Sequence, residues 1–265
     1  MKNFKDKVIW ITGASSGIGE EFARQANAKG ATVILSARRQ EELERIKNSL
    51  TNPEKAYVLP LDMEAQDTFT DKVTEVMDMF QQVDLLLHNA GISQRSYAAN
   101  TTMEVDRKLM EVNYFGTVAL TKAILPFLQK QTESHIAVNS SLAGKFGFYE
   151  RSAYSASKFA LEGFFETLRL EEEEHNISVT LLCPVGIKTN ISHNALDGSG
   201  NQFGKASAMQ EEGMSAEECV KQMIRAIEQE KDEVIIGQGM QTMSDKIKAL
   251  FPGLFWKMIK KKKPY

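Results

Sequence analysis

The chain has 265 residues, 42% of them apolar and 25% charged, and a formal net charge of −3. That size and apolar content suit one large globular domain, at most two, with a sizeable core. The near-neutral balance offers nucleic acid no basic face, two cysteines make no disulfide framework and fit a reducing, cytoplasmic setting, and the polar start, residues 1–7, reads as neither signal peptide nor membrane span.

The first apolar run, Val-Ile-Trp-Ile over 8–11, predicts a buried strand. It leads into Thr12-Gly-Ala-Ser-Ser-Gly-Ile-Gly19 and a helical pattern over 17–29. Gly13, Gly17 and Gly19 would let the backbone turn tightly and approach a phosphate closely, with Ser15, Ser16 and Ile18 in the same turn. The helix behind would aim free N–H groups and its positive dipole end at the anion. The spacing is G-x-x-x-G-x-G, not the commoner G-x-G-x-x-G, and many glycine-rich turns exist for packing alone. The loop therefore gains meaning only in company with residues much further along the chain.

Further strands are predicted at 32–36, 56–60, 83–88, 136–139, 178–183 and 233–236. Helices are predicted at 40–50, 64–81, 104–130, 153–175 and 215–230, the last opened by a capping box from Ser215 to Glu218. Near-continuous Val, Ile and Leu in the strands, alternating with helices, imply a parallel sheet covered on both faces. The expected architecture is α/β: one doubly wound domain of about seven strands, with the ligand crevice at their carboxyl ends. The glycine loop, Asp62, Asn89, Ser141 and Pro184 all follow predicted strands and could converge there. Residues 190–213 are rich in Asn, Gly and Ser and predict a substrate loop.

Chemistry is concentrated in Tyr154-Ser-Ala-Ser-Lys158, with Ser141 thirteen residues upstream at a strand end. Tyr154 and Lys158, four apart, share a helix face. A free phenol titrates near pH 10, too high for proton exchange at neutral pH. An adjacent ammonium favours the phenolate and lowers that value, which suits Tyr154 to exchange a proton with a carbonyl or alcohol. An arbitrary Y-x-x-x-K is more often a packed tyrosine beside a solvated lysine; the accompanying Ser141, Asn113 and glycine loop reverse that weighting. His135 and His193 match no metal-ligand spacing, so no metal is expected. Cys183 reads as a small apolar filler.

Together, Thr12–Gly19, Asn89-Ala-Gly91, Asn113, Ser141, Tyr154–Lys158 and Pro184-Val-Gly-Ile-Lys-Thr189 resemble the short-chain dehydrogenase/reductase family over most of the chain, from about residue 7 to 237. The resemblance implies a Rossmann fold and an oxidoreductase that moves a hydride between a nicotinamide cofactor and a ketone, aldehyde or secondary alcohol. It implies Tyr154 as acid or base, Lys158 as its modulator and a ribose ligand, Ser141 as the group that holds the substrate carbonyl, and Asn113 in a proton relay. Asn89, Ala90 and Gly91 would flank the adenosine half, Asp62 and Met63 the adenine. Pro184, Gly186, Ile187 and Thr189 would line the nicotinamide. His88 stands where an asparagine is often found.

A carboxylate ending the second strand would bind the ribose diol of NAD. This chain instead has Leu35-Ser-Ala-Arg-Arg39. Guanidinium groups suit a phosphate, so Arg38, with Ser36 and Arg39 in support, favours NADP(H) over NAD(H). Apolar residues at 250–259 run into Lys260–Lys263, a pattern suited to weak membrane-surface contact or to covering a subunit interface or substrate mouth. A homodimer or homotetramer, a small-molecule carbonyl or alcohol substrate, and a branch similar to hydroxysteroid and retinol dehydrogenases are expected. The rivals are a non-catalytic NADP(H) sensor, which would need no Asn–Ser–Tyr–Lys set, and a sugar-nucleotide epimerase or dehydratase, which the shorter chain and glycine spacing disfavour.

Overall fold

The computed structural model describes residues 1–205 and 212–261, apart from the side chain of Met240. Seven parallel strands form one sheet in the order β3-β2-β1-β4-β5-β6-β7. They are β1 Val8–Thr12, β2 Thr32–Ser36, β3 Ala56–Val58, β4 Leu85–His88, β5 Ser134–Asn139, β6 Ile177–Pro184 and β7 Glu233–Ile236. The helices that connect them are α1 Gly17–Ala28, α2 Gln40–Asn48, α3 Phe69–Phe80, α4 Met103–Met110, α5 Gly116–Leu128, α6 Ser152–Glu171 and α7 Ala216–Glu228; α8 Ser244–Leu250 and α9 Pro252–Ile259 come after the sheet.

The continuous apolar strands serve two cores. Ile9, Ile11, Val33, Leu35, Leu85 and Leu87 pack against Phe22 and Ala26 of α1, Ile46 of α2 and Met223 of α7. The intervening Trp10, Ile34, Leu86, Ile136 and Val138 pack against Val73 of α3, Ile124 of α5 and Phe165 of α6. Alternate side chains of a strand point to opposite faces, so burial of both faces requires apolar residues at nearly every position. The chain runs outward from β1 to β3 and then returns to pair β4 with the other side of β1, Ile11 against Leu87. At that reversal the two flanking connections diverge and leave a crevice at the strands' carboxyl ends.

The fold corrects several predicted boundaries. The helix expected from 64 starts at Phe69, because Asp62 Oδ1 accepts from Glu64 N (3.1 Å) and a short 3₁₀ turn, Gln66–Thr68, intervenes. Gln81, in the left-handed region at φ 61°, ends it. The single helix expected over 104–130 is two helices joined by a π turn, Glu111–Phe115. Of the capping box at α7, the forward half is present: Ser215 Oγ accepts from Glu218 N at 3.1 Å. Residues 240–261, read as a tail, are largely helical, and Phe255 of α9 is buried against Phe146. No helix among the described residues is long and apolar enough to cross a membrane.

Candidate active site

The glycine turn lies at the carboxyl end of β1. Gly13 and Gly17 adopt φ 66° and 59°, where side chains are strained. A Cβ on Gly13 would come within 2.7 Å of Ala90 Cα, and one on Gly17 within 3.3 Å of Thr189 Cγ2. Gly19 packs its bare Cα against the Gly13 carbonyl and the Asn89 side chain. Ser16 precedes α1 in an extended conformation and makes no side-chain cap, so the first N–H groups of α1 keep their donors free. This glycine cradle before uncapped amides fits the pyrophosphate of a dinucleotide.

The neighbouring strand ends meet the cradle. Thr12 Oγ1 accepts from Asn89 N (3.0 Å) and Ala90 N (3.1 Å), and Asn89 Nδ2 donates to the Thr12 and Gly13 carbonyls, both at 3.1 Å. Beyond β2, Arg38 and Arg39 are exposed, and Arg39 Nη2 donates to Ser15 Oγ at 3.2 Å. Ser36 departs from the expected grouping: it is fully buried and its hydroxyl accepts from Trp10 Nε1 (2.8 Å), which places it in the floor below the arginines. Met63 is buried against Gly116, next to the Asp62 turn. After β6, Gly186 turns at φ 61°, Ile187 is buried, and Met214 N donates to the Gly186 carbonyl at 2.9 Å. That pairing brings the loop carrying Thr189 against Gly17.

Asn113, Ser141, Tyr154 and Lys158 are gathered around Gly91 and the end of β5. The π turn presents Asn113 inward: its Oδ1 accepts from Ile92 N (2.8 Å), and its Nδ2 donates to Ile92 O (3.0 Å) and Ser157 Oγ (2.9 Å). Lys158, one turn beyond Tyr154 on α6, donates from Nζ to Asn139 O at 2.8 Å and lies 5.8 Å from the Tyr154 ring centroid. A Cβ on Gly91 would sit 3.2 Å from Asn113 Oδ1 and 3.7 Å from Lys158 Nζ, so a bare glycine keeps this corner open. Ser141 caps a 3₁₀ turn, its Oγ accepting from Ala143 N at 3.1 Å, and its hydroxyl is near enough to Tyr154 to favour the phenolate.

Burial governs the electrostatics. It raises the Tyr154 phenol above its ordinary value, against the opposing pull of the nearby Ser141 hydroxyl and the Arg151 guanidinium. It lowers Lys158 to about 8, partly countered by Glu162. Lys158 is itself desolvated and bound to the Asn139 carbonyl, while the phenol responds chiefly to burial, Ser141 and Arg151. Burial, reinforced by Glu162, pushes the Cys183 thiol well above its usual range, consistent with a filler and not a nucleophile.

Several residues of the site escaped the sequence reading. Ser157 holds Asn113 and donates to Tyr154 O (2.8 Å); it lies within the Tyr–Lys motif, but its spacing carries no signal of that role. Asn139 receives Lys158 through its carbonyl and donates from Nδ2 to Asn89 Oδ1 at 2.8 Å. Gln94, fully buried, accepts from Ala153 N (2.9 Å) and Tyr154 N (3.4 Å) and so caps α6 from a distant loop. No local pattern could have revealed a cap sixty residues away.

A parallel sheet with its order reversed beside a glycine cradle, a tyrosine and a buried lysine defines a dinucleotide-fold oxidoreductase. The chain belongs to the short-chain dehydrogenase/reductase family: the short chain dehydrogenase family model matches residues 7–199. It is 42% identical over 261 residues to a Drosophila melanogaster dehydrogenase/reductase SDR family protein 7-like, covering 96% of this chain and 80% of that one. A mouse dehydrogenase/reductase SDR family member 7B is 38% identical, with the same coverages of 96% and 80%. A short-chain dehydrogenase from Streptomyces avermitilis superposes with a TM-score of 0.83 at 28% identity, covering 98% of each chain. The chain is accordingly an oxidoreductase acting on CH–OH donors.

Proposed function

We propose that the protein is an NADP(H)-dependent reductase of ketones or aldehydes, or in reverse a dehydrogenase of secondary alcohols, with a lipophilic substrate. The observation that carries this reading is the placing of Ser141 and Tyr154 together beside Lys158, at the corner left free by Gly91. When bound, the nicotinamide supplies or accepts the hydride. Ser141 and Tyr154 hold the substrate oxygen between two donors as negative charge develops on it. Tyr154 then gives that oxygen its proton, or in the reverse direction removes it. Lys158, freed from Asn139 O, holds the ribose and supports the phenolate. Asn113, fixed by Ser157 and the Ile92 backbone, keeps the end of the relay in place.

The uncapped start of α1 and the glycine cradle would hold the pyrophosphate, with Asn89, Ala90 and Gly91 beside the adenosine half. Arg38 and Arg39, with no carboxylate between them and β2, favour the 2′-phosphate of NADP. Asp62 and Met63 would flank the adenine, and Pro184, Gly186, Ile187 and Thr189 the nicotinamide. Phe146, Phe148 and the described part of the 190–213 loop would enclose an apolar substrate; residues 206–211 of that loop lie outside the described structure. Turnover of a ketone panel with NADPH, followed by cofactor absorbance, tests the reading. Release of free NADP⁺ is the expected result; tight binding of NADPH with no turnover of any ketone would indicate a sensor instead.

We also infer a cytoplasmic homodimer or homotetramer that touches membranes weakly. Leu250, Phe251 and Leu254 are 72%, 60% and 55% exposed beside Lys257, Lys260 and Lys261, an apolar and basic combination suited to an anionic surface. Replacing those three apolar residues with serine, while leaving the buried Phe255 in place, should abolish sedimentation with phosphatidylserine vesicles. Unchanged sedimentation would remove the membrane role.

A further inference from the structure

Beneath the substrate side of the site lies a buried polar cluster that the proposed mechanism does not use. Glu162, two turns beyond Tyr154 on α6, is 6% exposed. Its Oε1 accepts from Ser140 Oγ at 2.5 Å and lies 3.4 Å from Cys183 Sγ; its Oε2 accepts from Lys145 Nζ at 2.6 Å. Lys145 also bonds Glu233 at the start of β7, and its carbonyl accepts from Lys248 Nζ of α8 at 2.6 Å. Burial opposes the Lys145 charge, but the two carboxylates outweigh it and hold its ammonium above the ordinary value.

The cluster is built for close contact. A Cβ on Gly144 would come within 2.9 Å of both Glu162 Oε1 and Ser140 Oγ, so any side chain there would have to push one of these oxygens aside. Ser140 precedes Ser141, and Gly144 N closes the turn on the Ser141 carbonyl at 2.8 Å. The one carboxylate thus grips both ends of the short segment that carries Ser141, from the same helix that carries Tyr154.

We propose that Glu162 is a positioning residue for the reaction: through Ser140 and Lys145 it locks the Ser141 hydroxyl in register with Tyr154. The inference rests on the assignment of Ser141 and Tyr154 as the two donors to the substrate oxygen. Two hydroxyls must converge on one atom, and displacement of either by a fraction of an ångström weakens the hydrogen bond formed as charge develops. The loss therefore falls on kcat, while the cradle that binds the cofactor is untouched.

The test is a double-mutant cycle of Ser140→Ala and Glu162→Leu, the latter also made with Lys145→Met so that no buried ammonium is left unpaired. Each single change should lower kcat for ketone reduction roughly tenfold or more, leave the NADPH dissociation constant within about twofold, and combine with no further loss. Glu162→Gln, which keeps an acceptor for Ser140, should recover most of the rate lost in Glu162→Leu. A kcat for Ser140→Ala within twofold of the parent enzyme overturns the proposal, as do fully additive losses or a fall in thermal stability alone. If the parent enzyme turns over no ketone, or Ser141→Ala is fully active, the underlying assignment fails and the inference with it.

Discussion

At the residue scale, the site separates binding from proton transfer. The Tyr154 ring can be kept and its hydroxyl removed, because its backbone is held by Gln94 and Ser157 and does not depend on the phenol. Tyr154→Phe should lower turnover by about 10²-fold or more, the scale of a lost general acid, with the NADPH dissociation constant, read by fluorescence titration, nearly unchanged. Activity close to that of the parent enzyme would mean another group delivers the proton. Arg38 and Arg39 make a separate case. Both are exposed, so alanine at each costs the fold little, yet the pair should weaken NADPH by tenfold or more while NADH changes less than threefold. An unaltered NADPH-to-NADH ratio would assign them to the solvated surface.

At the element scale, the glycine cradle leaves little room for change. Alanine at Gly13 must adopt φ 66° and place its Cβ 2.7 Å from Ala90 Cα. Gly13→Ala should therefore cost at least about 1–2 kcal/mol in urea unfolding and spread β1 from β4, raising the cofactor dissociation constant well beyond the change in stability. Wild-type affinity in that variant would show that the phosphates bind elsewhere. This strictness explains what the sequence could disclose. Elements whose two faces are both buried spell themselves in unbroken apolar runs, and β2 matches its predicted limits; so does β7, a partly exposed edge strand. Gly13 and Gly17 announced a turn because both sit at positive φ, where a side chain is strained, and at Gly13 a Cβ would also meet backbone. The π turn at Glu111–Phe115 was invisible, since its five residues suit a regular helix and only the tertiary bonds of Asn113 select the wider coil. Ser36 was half legible for a related reason: its position at the end of β2 was plain, but not its burial or the bond it accepts from Trp10 of the adjacent strand.

At the scale of the whole molecule, two imidazoles tie stability to pH. His88 and His135 are buried, with Nε2 of each bonded to a threonine hydroxyl, Thr121 at 2.8 Å and Thr180 at 2.9 Å. Burial lowers both to about 3, against an ordinary value of 6.5. Between those limits the unfolded chain binds more protons than the folded one, so stability falls as pH falls. The loss should reach about 1.6 kcal/mol per histidine from pH 6.5 to pH 5, seen as a falling urea midpoint. His88→Asn, which can still meet Thr121, should flatten that dependence by about half. A midpoint constant from pH 7 to pH 5 would contradict the burial of these rings.

The packing of α8 and α9 on the Ser141 side has a further consequence. Phe255 closes on Phe146, and Lys248 reaches the Lys145 carbonyl, so the last two helices buttress the short turn that carries Ser141. Changes in those helices are therefore expected to disturb Ser141 from outside, while the glycine turn on the other side of the sheet order keeps its own supports.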